Sequence, residues 1–257
     1  MQNPTRMLTA TTPYRSGHSL AQIVTVMLAV GIGFNVVSIL LTAAQLASGS
    51  AAALVSEDAD IGALDLLELG FALLQFAVII ATVVVFCMWL YRAAHNLTAL
   101  GNPRQAIAHS PGWAVGSFFV PFVNLVVPYR ATKEVWAKSD PAVTVDNYVA
   151  PHEPSAPAYM KVWWAFWLAS VFVNNAAGRL YFRADTPGEM QTAMWLDILG
   201  ELLNIPAAVF VILVVRGIDR RQEERARRVA HVGNVPPAPP LFNPPGGSDA
   251  GAAPGRA

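Results

Sequence analysis

Long apolar runs without charge restrict this chain to a membrane fold. The stretch 16–56 contains no Asp, Glu, Lys or Arg, and its apolar part, 20–46, is followed by a second apolar run at 66–91. A helix of either length exceeds the ~30 Å hydrocarbon core of a bilayer, at 1.5 Å per residue. The first run is also longer than the apolar region of a cleaved signal peptide, roughly 7–15 residues. We therefore predict a retained membrane helix.

The composition excludes most soluble classes of protein. Hydrophobic residues make up 54% of the chain and charged residues 13%, about half of the ~25% that is typical of a soluble domain. Disordered proteins, disulfide scaffolds and ordinary soluble enzymes are thereby excluded. The single cysteine, Cys87, lies in an apolar run, so it cannot form an internal disulfide or anchor a metal cluster. The composition indicates a polytopic membrane protein.

Two further spans and one short apolar segment complete the predicted fold. The runs 163–182 and 192–215 are each long enough to cross a bilayer. The segment 111–128 is shorter and contains Pro121 at its centre, which removes a helical hydrogen bond. We predict an all-α bundle of four transmembrane helices with a Pro-broken re-entrant or interfacial hairpin.

The distribution of charge predicts the orientation. All charges between 57 and 68 are acidic, whereas arginines dominate 216–228. If the hairpin does not cross the membrane, almost all basic residues fall on one side, which the positive-inside rule assigns to the cytoplasm. We expect a cytoplasmic N-terminal tail (1–18), a membrane domain (19–230) and a cytoplasmic, disordered Pro/Gly-rich tail (231–257). Five spans remain the alternative if the hairpin crosses.

Four charged residues fall within the predicted spans or at their ends. They are Glu68, Arg179, Asp197 and Glu201. A charge near the middle of a span costs roughly 2.5–3.5 kcal/mol, so such residues pair or line a cavity. Asp197 and Glu201 share a helix face, and Arg179 is expected beside Asp197. The cluster is interpreted either as a structural ion pair or as a coupling or proton-relay site.

Two motifs in the middle of the chain resemble a known family. WLYRAAHNLTALG begins at Trp89, and SPGWAVGSFFVPFVNLVVPYRATKEVW begins at Ser110. The matching residues are Trp89, Arg92, Asn96, Pro111, Trp113, Gly116, Pro121, Asn124, Leu125, Pro128 and Trp136. These motifs resemble the bacterial membrane proteins of domain-of-unknown-function family 4328, over roughly residues 20–218. The resemblance implies an integral membrane protein of a bacterial cell membrane with no established activity, and it brings no catalytic residues.

The hairpin motif has two interpretations. It comprises Trp113, Gly116, Pro121, Asn124 and Pro128. Both prolines are expected to leave backbone carbonyls unpaired, and the Asn124 side chain could donate to one of them. Irregular backbone at membrane depth must be buried in protein or line a water-filled cavity. The motif is therefore either a packing elbow or a small-solute site. A second motif, Trp89, Arg92 and Asn96, is expected near the cytoplasmic mouth.

No motif supplies enzyme chemistry. The histidines are scattered, and the chain lacks the nucleophile-elbow, phosphate-loop and dinucleotide-binding patterns. We expect no enzyme activity, cofactor, metal or nucleic-acid partner. The first hypothesis is a membrane module that acts through self-association or other membrane proteins. A transporter or channel-like subunit is the second hypothesis, and a lipid-active enzyme is the third.

Overall fold

A computed structural model describes residues 13–51, 62–102, 107–142 and 156–233. The regular structure in these ranges is helical, which confirms the predicted all-α class. The α-helices within them are α1 (His18–Ser48), α2 (Ala63–Ala99), α3 (Pro111–Gly116), α4 (Val127–Lys138), α5 (Ala158–Tyr181) and α6 (Pro187–Gly233). The N-terminal tail before residue 13 and the predicted disordered tail from residue 234 lie outside the described residues.

Local capping chemistry determines where three helices begin or end. α1 ends before Gly49, whose φ of 72° lies in the left-handed region that glycine tolerates. At the start of α3, the Ser110 hydroxyl accepts a hydrogen bond from the backbone N–H of Trp113. At the start of α6, Thr186 and Glu189 form a capping box, in which each side chain accepts from the other residue's backbone N–H.

The four long helices α1, α2, α5 and α6 form an antiparallel bundle. α6 packs against both α5 and α1, and α2 packs along α1. Nδ1 of His18 lies 2.7 Å from a carboxylate oxygen of Asp219. The Thr42 hydroxyl lies 3.5 Å from a carboxylate oxygen of Asp197. These two pairs show that α1 and α6 run in opposite directions. The end with residues 13–18 and the last turns of α6 is termed proximal, and the opposite end distal.

The larger buried core lies at the proximal end of the bundle, and a smaller cluster of Ala51, Met190 and Met194 lies at the distal end. The fully buried side chains of the larger core include Trp89, Leu90, Leu97, Met160, Val214, Val215 and Ile218. The distal halves of α1 and α2 instead expose large apolar side chains, including Leu40, Leu73 and Phe76. An apolar surface of this kind is suited to lipid, which neither donates nor accepts hydrogen bonds.

Three of the described helices are long and apolar enough to cross a bilayer. They are α1, α2 and α6, whose most apolar windows have mean hydropathies of 2.4, 2.6 and 2.4. α5 has 24 residues but is not among them. Asn174, Asn175 and Arg179, together with three tryptophans, lower its hydropathy. The predicted count of four spans is therefore not confirmed.

Residues 111–138 form a helical hairpin, which we term the hairpin. α3 has only six residues, a rise of about 9 Å, and two 3-10 turns, Ser117–Phe119 and Val123–Leu125, lead to α4. Pro121 lies between these turns, so the predicted interruption is present. Pro128 behaves differently from the expectation, because it occupies the first turn of α4. At that position a helical N–H has no intrahelical acceptor, so proline starts the helix instead of breaking it.

The tip of the hairpin is apolar. Phe122 adopts a φ of 63°, which is uncommon for a non-glycine residue, and its side chain is 86% exposed. Phe118 points the other way, into the bundle. Its ring centroid lies 5.8 Å from that of Phe86 in α2, and 6.4 and 6.2 Å from those of Trp164 and Trp167 in α5. The hairpin thus inserts one aromatic ring between α2 and α5.

Candidate functional site

Polar side chains form a stripe on each of the four bundle helices. Members of a stripe are three, four or seven residues apart, which places them on one helix face. The stripes contain Asn35, Ser38, Thr42 and Gln45 of α1; Glu68, Gln75 and Thr82 of α2; Ser170 and Asn174 of α5; and Asp197, Glu201 and Asn204 of α6. The side-chain contacts between these helices bring the stripes together inside the bundle.

Hydrogen bonds connect the stripes of α1, α2 and α6. The Gln45 side-chain amide donates to Glu68 at 2.7 Å, and the Thr42 hydroxyl donates to Asp197 at 3.5 Å. The Ser38 hydroxyl donates to the Gln75 carbonyl at 3.1 Å, and the Gln75 amide donates to Oε1 of Glu201 at 3.5 Å. The three acids therefore have hydroxyl and amide partners.

The expected ion pair between Arg179 and Asp197 is not formed. Arg179 is exposed and has no salt bridge within the part of the chain that the structure describes. The reason is helical phase, because Arg179 follows the buried residue Ala177 by two positions, a rotation of about 200°. Glu68 does join the polar network, through Gln45 of α1. The predicted cluster thus contains the three acids without the base.

A cavity of about 310 Å³ lies between the four helices at mid-height. Its polar wall consists of Asn35, Gln75, Thr82, Asn174, Glu201 and Asn204, and Trp163 and Trp167 line it as well. Oε2 of Glu201 is buried and accepts no hydrogen bond from the described residues. Pro206 lies inside α6 next to this region, and since it has no N–H it leaves the carbonyl of Leu202 without its helical donor.

Close packing of α5 on α6 positions Asn174 at the cavity. The side chain of Asn174 lies over the backbone of Gly200, where an added Cβ would stand 1.6 Å from Oδ1 of Asn174. Only glycine permits this approach. Gly200 precedes Glu201 in α6. The absence of a side chain at Gly200 therefore determines how near the Asn174 amide can come to the Glu201 carboxylate.

Relative to the same change at Gly178, replacing Gly200 by alanine should destabilise the bundle by about 1–3 kcal/mol, the usual cost of overpacking. The matched control is Gly178→Ala in α5, where a new Cβ would meet nothing within 4 Å. That change should be neutral or stabilising, by up to about 1 kcal/mol of helix propensity. Unfolding in mixed detergent micelles measures both. A second substitution, Asn174→Ala, should restore most of the loss, and failure to do so would contradict the contact.

The hairpin motif is spread over three environments. Trp113 and Pro121 are exposed, Asn124 and Gly116 are partly buried, and Pro128 is buried. The hydrogen bond expected from the Asn124 side chain to a freed carbonyl is not found among the described residues. Another side chain bonds the hairpin backbone, because the indole N–H of Trp164 in α5 donates to the carbonyl of Leu125 at 3.1 Å. None of the motif residues lines the cavity. The hairpin is linked to it indirectly, because the ring of Phe118 contacts that of Trp167, which lines the cavity.

The second motif lies at the proximal end, as expected. Trp89 and Asn96 are buried in the core, and the Arg92 guanidinium donates to the carbonyl of Ser16 at 3.4 Å. Nδ2 of Asn96 donates to the carbonyl of Arg15 at 2.8 Å and to Oε1 of Gln222 at 3.3 Å. These contacts fasten residues 15 and 16 across α2 and α6.

Further contacts close the proximal end. The phenol of Tyr14 and the hydroxyl of Ser16 both donate to Glu223. Burial of Tyr14, together with the hydrogen bond to this carboxylate, raises the pKa of the phenol above its usual value. α4 also packs on α6 at this end. A Cβ at Gly217 of α6 would stand 2.3 Å from the ring of Trp136 of α4, so glycine is required at this contact.

Several members of these networks were not predicted. Gln222 donates to the Ala93 carbonyl at 2.8 Å, and Arg225, 2% exposed, donates to the Lys138 carbonyl at 2.5 Å. Their burial could have been predicted from their spacing. The buried positions Val211, Val215 and Ile218 recur at intervals of three or four residues, and the same intervals lead to 222 and 225. The polar stripe of α1 has the same kind of spacing. Within the described ranges, His, Cys, Asp and Glu form no group of three that could hold a metal.

Comparison with known proteins identifies one relationship. A family model described as "Domain of unknown function (DUF4328)" matches residues 52–220. The match begins after α1 and ends within α6, so it starts later than the resemblance over roughly 20–218 implies. Neither a curated protein nor a solved structure matches the chain.

Proposed function

The chain belongs to the DUF4328 family, and we propose that it is a membrane module that binds a small polar solute between its helices, as a transporter or channel-like subunit does. The observation that carries this proposal is the mid-height cavity, with the buried carboxylate of Glu201 in its wall. Polar groups at this depth are costly in a bilayer, and they mark solute or ion pathways in membrane proteins. No enzyme chemistry is proposed.

The proposed topology has four spans, with both termini in the cytoplasm of a bacterial cell. α5 is proposed as the fourth span because it is antiparallel to α6 and Asn174 of its stripe lines the cavity. Among the described residues, only Arg179 and Arg183 carry positive charge at the distal end. The other described arginines and lysines lie at the proximal end, which supports its assignment to the cytoplasm. The hairpin is proposed to dip into the inner leaflet through its exposed tip at Phe122.

A module that acts through self-association or protein partners is the second candidate. It is favoured by α2, whose most apolar window has none of its residues buried. The exposed apolar surface of α2 must contact either lipid or another protein chain. Under this proposal the cavity would be a packing defect closed to water, so the accessibility of the cavity separates the two functions.

Thiol labelling tests the proposed function. In a Cys87→Ala background, cysteine is introduced at Ala208, which lines the cavity, or at Ala77, which is exposed on α2 and lies closer to the distal end. The two changes replace the same small residue in helices of the same bundle. We expect a hydrophilic methanethiosulfonate reagent to modify the cavity cysteine at least about tenfold faster in proteoliposomes, because only that position borders a polar, hydrated space.

The outcome of the labelling decides between the two candidates. Equal, slow modification at both positions would mean that water does not reach the cavity, and it would leave the partner module as the better proposal. Both variants must retain the thermal stability of the Cys87→Ala parent. The comparison then reports accessibility and not misfolding.

A further inference from the structure

We infer that the cavity between α1, α2, α5 and α6 takes a small organic cation with an ammonium group, either a protonated amine or a quaternary ammonium. The inference rests on the proposed function, and it adds the chemical class of the solute. It follows from three properties of the wall: its charge, its aromatic rings and its size.

Among the described residues, the wall contains one acidic side chain and no basic one. Glu201 is this acidic residue, and the other polar residues of the wall are amides and a hydroxyl, set among apolar side chains. Asp197 lies one turn further along α6, with Thr42 as its hydrogen-bond donor. Arg179 is exposed and cannot neutralise either acid from the opposite face of α5. A buried carboxylate requires a positive partner or a proton, and a cationic solute supplies the partner.

The aromatic rings favour an organic cation. Trp163 and Trp167 line the cavity on the α5 side, and Trp167 is held in place by stacking on Trp164 with centroids 4.6 Å apart. Indole is the strongest of the protein rings in attracting an ammonium group through its π-electrons. A carboxylate and indole rings in the wall of the same cavity are a combination that recognises alkylated ammonium ions.

The size of the cavity agrees with this class. A volume of about 310 Å³ is at the lower limit for small-molecule pockets and exceeds what a bare metal ion requires. Apolar residues such as Leu28 and Val78 complete the wall and provide contacts for alkyl groups. The amides of Gln75 and Asn204 can bind hydroxyl or N–H substituents. An ammonium group could come from a free amine or from a lipid headgroup, because both present the same chemistry.

Binding of radiolabelled choline to the full-length protein tests the inference. The protein is reconstituted in nanodiscs of phosphatidylglycerol, whose headgroup carries no ammonium. We expect saturable binding, with tetramethylammonium as a competitor and with no competition from 3,3-dimethyl-1-butanol, the uncharged isostere of choline. Glu201→Gln should weaken binding at least about tenfold, because it removes the negative charge. The matched control is Glu224→Gln on the proximal part of α6, which should bind choline like the parent.

A second variant tests choline binding independently, in case Glu201→Gln fails to fold. Gly31 lines the cavity, and a Cβ there would meet nothing within 4 Å, so we expect Gly31→Leu to place its side chain in the cavity. This variant should keep the parent's thermal stability and lose choline binding. Phosphatidylethanolamine added to the nanodiscs identifies the source of the ammonium group. Inhibition of choline binding would assign the site to a lipid headgroup, and no inhibition would assign it to a free amine.

Two results would overturn the inference. One is competition by the neutral isostere, or unchanged binding in Glu201→Gln, which would show that charge is not recognised. The other is absence of choline and tetramethylammonium binding in protein whose cysteine at position 208 is rapidly labelled. In that second case the proposed solute cavity stands and only its ligand class is wrong. If position 208 is also unreactive, the proposed function fails as well.

Discussion

Replacing Trp89 by alanine is expected to lower the free energy of unfolding by about 3–5 kcal/mol, the range for large aromatic residues in packed cores. Trp89 is 1% exposed, and its ring lies 5.5 Å from that of Phe86, which in turn contacts Phe118 of the hairpin. Its removal leaves a cavity that borders both α2 and the hairpin. Unfolding by SDS in mixed micelles, followed by circular dichroism, measures the loss.

The same substitution at a surface tryptophan is the control. Trp195 of α6 is 62% exposed in the distal half. Trp195→Ala should change stability by no more than about 0.5 kcal/mol, as is usual for surface positions. Equal losses at the two tryptophans would contradict the location of the core at the proximal end.

Asn96→Leu is expected to cost at least about 2 kcal/mol, because each buried polar group that is left unpaired costs about 1–3 kcal/mol. Asn96 is fully buried, and it donates to the carbonyl of Arg15 and to Gln222. Its Oδ1 also accepts from the Arg15 backbone N–H at 3.4 Å. Leucine has a similar volume but can form none of these bonds, so the contact between residue 15 and the bundle is lost.

Two measurements separate this effect from general damage. Trypsin should cleave after Arg15 faster in the variant, because the segment is no longer fastened to α2. The control is Asn175→Leu in α5, an exposed position whose amide donates to the Val171 carbonyl of its own helix. That change should be neutral or stabilising and should leave the cleavage rate unchanged. Unaltered cleavage in Asn96→Leu would mean that the Arg15 contact is not what Asn96 maintains.

The helices and the hairpin were predictable from the sequence because each rests on local physics. Apolar runs at 20–46, 66–91 and 192–215 fall within α1, α2 and α6. Pro121 interrupts the hairpin where expected, since proline cannot donate in a helix wherever it is placed. Family membership followed from motifs that include Trp89 and Asn96, both buried at the proximal end.

The partners of the polar residues were harder to predict because they depend on helix rotation. Arg179 and Asp197 were expected to meet at the level where α5 and α6 join, but phase turns Arg179 outward. Conversely, the α1 residues Ser38 and Thr42 look unremarkable in an apolar helix, where single hydroxyls are common. Their role emerges only when Gln75 and Asp197 of other helices are placed opposite them. Distances between helices, unlike periodicity within one, are not encoded in any short window.

Because the main core lies at the proximal end, we expect the distal halves of the long helices to separate more easily than the proximal halves. α1 has 31 residues, so it is about 46 Å long at 1.5 Å per residue. A tilt of about 5° at the proximal end would displace the far tip by about 4 Å, enough to separate Gln45 from Glu68. We therefore expect a small tilt near the proximal core to produce a larger separation of the helices at the distal end.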